Sequence, residues 1–271
     1  MSVLLMTVWL TGCVQEELGS TPSPAGNGIR FTLTVPDVNL PSVSSRTMTG
    51  TGTAKKEDEI KTVDILVFDM SKTPAVYLEC VSATGVTQDL ADNSTVSFSA
   101  VLSPTTASTC IVVVANKELD NIVSGFMKGT TTKVEAMEKM LHAQTGKWLA
   151  DGSTTDGYTR IPMYGEKVIS KITPSMDPIT GINMKRMLAR IDIRNNSATS
   201  NFTVEEVYLA NYNTTGYIAP AWNTNGQVTD PAPDTPVLPV NSGKMTEEGD
   251  AILYSVNGNT PYDLSLIHIS E

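Results

Sequence analysis

Apolar and polar residues alternate from Ile29 to Val35, with Ile29, Phe31, Leu33 and Val35 on one side of the chain and Arg30, Thr32 and Thr34 on the other. A period of two belongs to a strand with one buried face, and Pro36 stops it because proline has no N–H to give a ladder. The pattern resumes in Ile60 to Phe68, where Val63, Ile65 and Val67 share a face, and strands are predicted again at Val76 to Val81, Val96 to Leu102 and Cys110 to Ala115. Ile111-Val112-Val113-Val114 does not alternate. That run predicts a central strand covered on both faces. Between Lys133 and Gln144 the period lengthens, and Val134, Met137, Met140 and Leu141 fall at helical spacing. One amphipathic helix packed on the first sheet is expected, its methionines filling the core.

Ile161 to Gly165 closes the first half, and a connector containing Pro and Gly runs from Thr173 to Gly181. Strands are then predicted at Met187 to Ile193, Phe202 to Ala210 and Ala251 to Val256, with a proline-rich loop from Thr224 to Pro239 between the last two. The fold class expected is mainly β, two sandwich domains in tandem, the first carrying the helix. The division runs 1–13 export signal, 14–28 tether, 29–172 first sandwich, 173–184 linker, 185–263 second sandwich and 264–271 tail. Three strands fall short of the about seven a sandwich uses, so the second domain is expected to be truncated. The tail Leu264 to Glu271 resembles a translated sequencing adapter and is set aside, His268 with it.

Composition narrows the function classes. A net charge of −10 with 18% charged residues, and no basic stripe, excludes nucleic-acid binding. Val3 to Leu10 is a short apolar run leading into Leu10-Thr11-Gly12-Cys13, which reads as a lipobox with Cys13 as the lipidated residue, although no Lys or Arg precedes the run. Acidic and Ser/Pro/Gly-rich sequence follows, a tether with nothing to bury. Cys80 and Cys110 both lie in predicted strands, open either to a cross-strand disulfide or to life as two separate buried thiols. No metal-ligand spacing, nucleophile elbow or phosphate loop is present, His142 stands without companions, and no cofactor is expected. Asp151 to Gly157 lacks the closing acid of a calcium loop and reads as a turn, while the sequons at Asn93, Asn195, Asn201 and Asn213 read as incidental.

In this order, Cys13, the strand Ile29 to Val35, Arg46 in Ser45-Arg46-Thr47, Glu59 to Asp69, Thr109 to Asn116, Ile161 to Gly165 and Leu188 to Ile193 resemble the fimbrillins, the major fimbrial subunits of Bacteroidales bacteria. The resemblance implies two transthyretin-like sandwiches, outer-membrane export as a lipoprotein, and cleavage by an Arg-specific protease in the loop after the first strand. Carried onto this chain, the cut falls after Arg46 and removes the strand bearing Ile29, Phe31, Leu33 and Val35. A strand donated by the next subunit refills the groove, so the partners implied are other fimbrial subunits, the protease, the membrane, and a host or bacterial surface of unspecified ligand. Arg30 is a poorer target, because a buried strand offers a protease little. Two alternatives stand beside this reading. An anchor or tip subunit would lack the cleavable Arg or the donor strand. A surface glycan-binding lipoprotein would present an aromatic platform, for which Trp148, Trp222, Tyr212 and Tyr217 are the candidates.

Overall fold

A computed structural model describes residues 28–35, 58–88, 95–143, 160–188, 206–208, 215–229, 238–239 and 252–255. Cys13, Arg46, Trp148, Tyr212, the turn Asp151 to Gly157 and all four sequons lie outside the described residues, as does most of the strand expected at Met187 to Ile193.

The first half folds into two facing sheets. One has the order β4-β5-β1-β9, from β4 (Thr84–Gln88), β5 (Thr95–Ala100), β1 (Ile29–Thr34) and β9 (Ile179–Asn183). The other has the order β10-β8-β6-β2-β3, from β10 (Lys185–Arg186), β8 (Met163–Ile169), β6 (Thr109–Ala115), β2 (Val63–Asp69) and β3 (Val76–Ser82). Between them lies one core, to which β1, β5 and β9 bring Ile29, Phe31, Leu33, Val96, Phe98, Ile179 and Ile182, and the facing sheet brings Ile65, Val67, Ile111, Val113 and Met163. Side chains of alternate parity on the second sheet point the other way. Leu66, Phe68, Cys110, Val112, Val114 and Tyr164 form a second core on its outer face. Every residue of β6 is therefore buried, which is the reason its sequence does not alternate.

That outer face is covered by two helices and a returning segment. Besides the short α1 (Asp120–Val123) there is α2 (Lys133–Lys139), which places Ala136 and Met137 in the second core. Its start is a capping box: the Thr132 hydroxyl accepts from the Glu135 N–H at 3.2 Å while the Glu135 carboxylate accepts from the Thr132 N–H at 2.8 Å. These bonds to Thr132 hold the Glu135 carboxyl below its usual range. The helix is shorter than its hydrophobic spacing suggests. After Met140 the chain becomes β7 (Leu141–Ala143), pairing antiparallel with β12 (Thr215–Tyr217), so His142 sits on a strand and Ile218 and Ala219 are delivered to the second core.

The connector expected at 173–184 is also corrected. Its second part is β9, paired in parallel with β1, so these residues belong to the first sandwich rather than to a linker. Of the second half, β11 (Glu206–Tyr208) and β13 (Ile252–Ser255) pair antiparallel, within the strands predicted there.

Candidate functional site

β1 is an inner strand. It pairs antiparallel with β5 in unbroken register from Ile29 opposite Ala100 to Thr34 opposite Thr95, and parallel with β9 through Phe31 opposite Ile179 and Leu33 opposite Ile182. The alternation read from its sequence is realised fully, since Ile29, Phe31, Leu33 and Val35 are all buried, Leu33 completely. The Phe31 ring lies flat on that of Phe98, with centroids 5.0 Å apart and planes 8° from parallel. Burying four such side chains is worth roughly 6–12 kcal/mol on transfer grounds, about the whole stability of an ordinary domain.

One wall of this seat, β5, lies in the strand predicted at Val96 to Leu102, whereas the other comes from residues that the sequence assigns to a connector. β9 is the sheet's edge, and β1 is its sole neighbour there. Its register on β1 shifts between Phe31 and Leu33, so Ile179 and Ile182, three residues apart, both face inward. Gly181 absorbs the shift with φ at +71°, a region open to glycine. From the facing sheet, Gly165 is what lets β9 approach: a Cβ there would stand 2.7 Å from Met184 Sδ and 2.8 Å from Ile182 Cγ2. At the end of the strand the Met184 N–H donates to the Thr34 carbonyl at 2.8 Å.

Other residues singled out by sequence lie apart from this seat. Cys80 on β3 and Cys110 on β6 are free thiols with β2 between them. Two strand spacings, about 9.5 Å, exceed the reach of a disulfide. The pairing alternative is thus set aside. Burial pushes the Cys80 thiol up to about 12 and the Cys110 thiol up to about 11, leaving both protonated at neutral pH. Trp222 packs edge-on against Tyr217, centroids 4.9 Å apart at 79°, and leans on the second core, so this pair is not a flat platform.

One charged cluster was not anticipated. Lys133, 1% exposed, donates from Nζ to Glu166 at 2.6 Å, and the buried Tyr164 hydroxyl donates to the same carboxylate oxygen at 2.5 Å. Burial, with Glu166 adding to it, holds the Tyr164 phenol well above its usual range. The Val228 N–H donates to the other oxygen at 3.4 Å, and Gly226 lies against the Lys133 stem. The cluster fastens the segment 215–229 to the sandwich, on the side away from β1. Among the described residues no group of His, Cys, Asp and Glu could hold a metal ion, and no helix is long and apolar enough to cross a membrane.

Similar folds occur in a fimbrial assembly protein of Parabacteroides distasonis, 14% identical over 89% of this chain and 86% of that one with a TM-score of 0.42. They occur also in a provisionally named cell adhesion protein of the same organism, 18% identical over 89% and 70% with a TM-score of 0.47. No curated protein matches the chain. The family model of the major fimbrial subunit protein (FimA) matches residues 29–180, from the first residue of β1 into β9. The chain therefore belongs to the major fimbrial subunit family, as a structural subunit of cell-surface fimbriae and not an enzyme.

Proposed function

We propose that this subunit is exported as a lipoprotein through Cys13, is cut after Arg46, gives up β1, and is joined to its neighbour by a strand that takes the place of β1. The observation that carries this reading is the position of β1 between two strands that do not otherwise meet. Its departure leaves a slot one strand wide, with unpaired N–H and C=O groups on both walls and an apolar floor. Such a slot is costly while empty and specific when filled.

Chain order supports the same reading. Among the described residues β1 is the only element before Arg46, so a single cut there detaches this strand and no other. The second core, with α2 and the Lys133–Glu166 pair, contains nothing from β1 and keeps the remaining subunit together. Because β1 itself is worth roughly 6–12 kcal/mol, a cut chain holds its strand until a competitor arrives. Repetition of the contact from subunit to subunit is heterologous and does not close, which yields a filament.

Treating the full chain with an Arg-specific protease, alone and mixed with an intact fimbrial subunit, tests this. Expected are a new N-terminus at Thr47 and, in the mixture, a ladder of oligomers that survives detergent. Cutting elsewhere, or clean cutting at Thr47 with no ladder, contradicts it.

A further inference from the structure

What replaces β1 is chosen by the walls that stay behind. On one side is β5, which turns Val96, Phe98 and Ala100 into the core opposite Leu33, Phe31 and Ile29. The three places differ. Ala100 leaves room for an aliphatic group, Val96 faces another aliphatic group, and Phe98, 3% exposed, presents the flat face of a ring on which Phe31 stacks. On the other side is β9, whose shifted register at Gly181 fits a strand running parallel to it.

We infer that Phe98 is a specificity-determining residue of the vacated groove: it selects a strand of another fimbrial subunit that carries an aromatic ring at the place of Phe31 and runs in the direction of β1. This rests on the exchange reading above and narrows it. A strand entering with Leu or Ala at that place leaves the Phe98 face partly wetted and forfeits the stacked contact. A strand entering in the opposite direction must pair parallel with β5 and antiparallel with β9, against the register that the bulge at Gly181 imposes. The occupant's chemistry follows: apolar side chains at four alternate positions, aromatic at the second, with polar residues between them facing outward as Arg30 and Thr34 do.

The test uses the full chain with a site-specific protease sequence placed around residue 46. The folded protein is cut, unfolded in guanidinium and refolded with excess fluorescent heptapeptide, which competes with the detached β1 for the groove. The probes are the Ile29–Val35 sequence, its Phe31→Leu and Phe31→Ala forms, and the same seven residues in reverse order. Expected relative affinities are highest for the parent peptide, about 10-fold lower for Leu from the lost ring contact, and about 100-fold or more lower for Ala from the emptied site. The reversed peptide should compete no better than Ala. In a Phe98→Leu chain, which keeps an apolar filler of similar bulk, the Phe-over-Leu preference should largely disappear. Equal incorporation of the Phe and Leu peptides, or a preference that survives Phe98→Leu, overturns the role of Phe98 while leaving strand exchange standing. Failure of every peptide to enter while β1 rebinds overturns strand exchange and this selectivity together.

Discussion

Glu166 shows how much a single side chain can hold. Its carboxylate accepts from Lys133 and Tyr164 and from the Val228 N–H, joining α2, β8 and the segment 215–229 at one point. The two charges are not equally placed: the Lys133 side chain is 1% exposed, whereas Glu166 retains 20% of its exposure to water. Removing the partner of the deeper charge is therefore the costlier change, since an uncompensated buried ion loses most. We expect Glu166→Gln to destabilise the fold by about 3 kcal/mol, and Lys133→Met by about 1 kcal/mol. Denaturant unfolding of the two variants checks the order, and Lys133→Met costing more than Glu166→Gln would contradict it. Asn116 is a second residue whose role the sequence hid. It holds φ at 59°, donates from Nδ2 to the carbonyls of Glu59 and Ile161 at 2.8 and 2.9 Å, and accepts from the Lys61 N–H at 3.0 Å. At the end of β6 it ties the entries of β2 and β8 together, a task that only coordinates reveal.

Strands stand out in a sequence when their burial is regular and go unseen when a neighbour imposes it. β1 and β6 were legible because one has a single buried face and the other two, and each condition leaves its own pattern. β9 was read as part of a connector for a physical reason. Pro178 and Gly181 punctuate it, and the register shift spaces Ile179 and Ile182 by three residues instead of two. It becomes a strand because β1 supplies a ladder. α2 is overlong in the sequence reading for a similar reason: Met140 and Leu141 keep the helical period, but pairing with β12, more than 70 residues on, draws Leu141 into β7. Thus β1 and its neighbour β5 are legible in the sequence, while the β9 side is not. Gly165 is the element-scale test of those walls. Gly165→Ala places a Cβ into Met184 and Ile182 and pushes β9 outward, so a loss of about 1–3 kcal/mol is expected from overpacking. Amide exchange should quicken in β9 and at the β9-facing amides of β1, while β6 stays protected. A neutral Gly165→Ala with unchanged exchange would contradict this packing.

For the whole molecule, the division into two cores matters most. β1 and β9 contribute only to the core between the sheets, and α2 and the segment 215–229 only to the core outside them, with the five-stranded sheet as the common wall. Under the proposed exchange, one core is opened and refilled while the other, which contains nothing from β1, preserves its shape. The chain belongs to the major fimbrial subunit family, and in the exchange proposed above the inner core is the one that the neighbouring subunit completes. Strand replacement is measured most directly by pinning β1. Thr32 lies opposite Ser97 in the register with β5 and neither is part of the core, so Thr32→Cys with Ser97→Cys offers a disulfide across that ladder. After cutting at residue 46 and adding excess Ile29–Val35 peptide, the detached β1 piece should be displaced from the unpinned protein. It should stay bound in the oxidised pinned protein until a reductant is added. Retention of β1 in the unpinned protein at any peptide excess, or peptide entry into the oxidised pinned protein at the unpinned rate, would contradict the account.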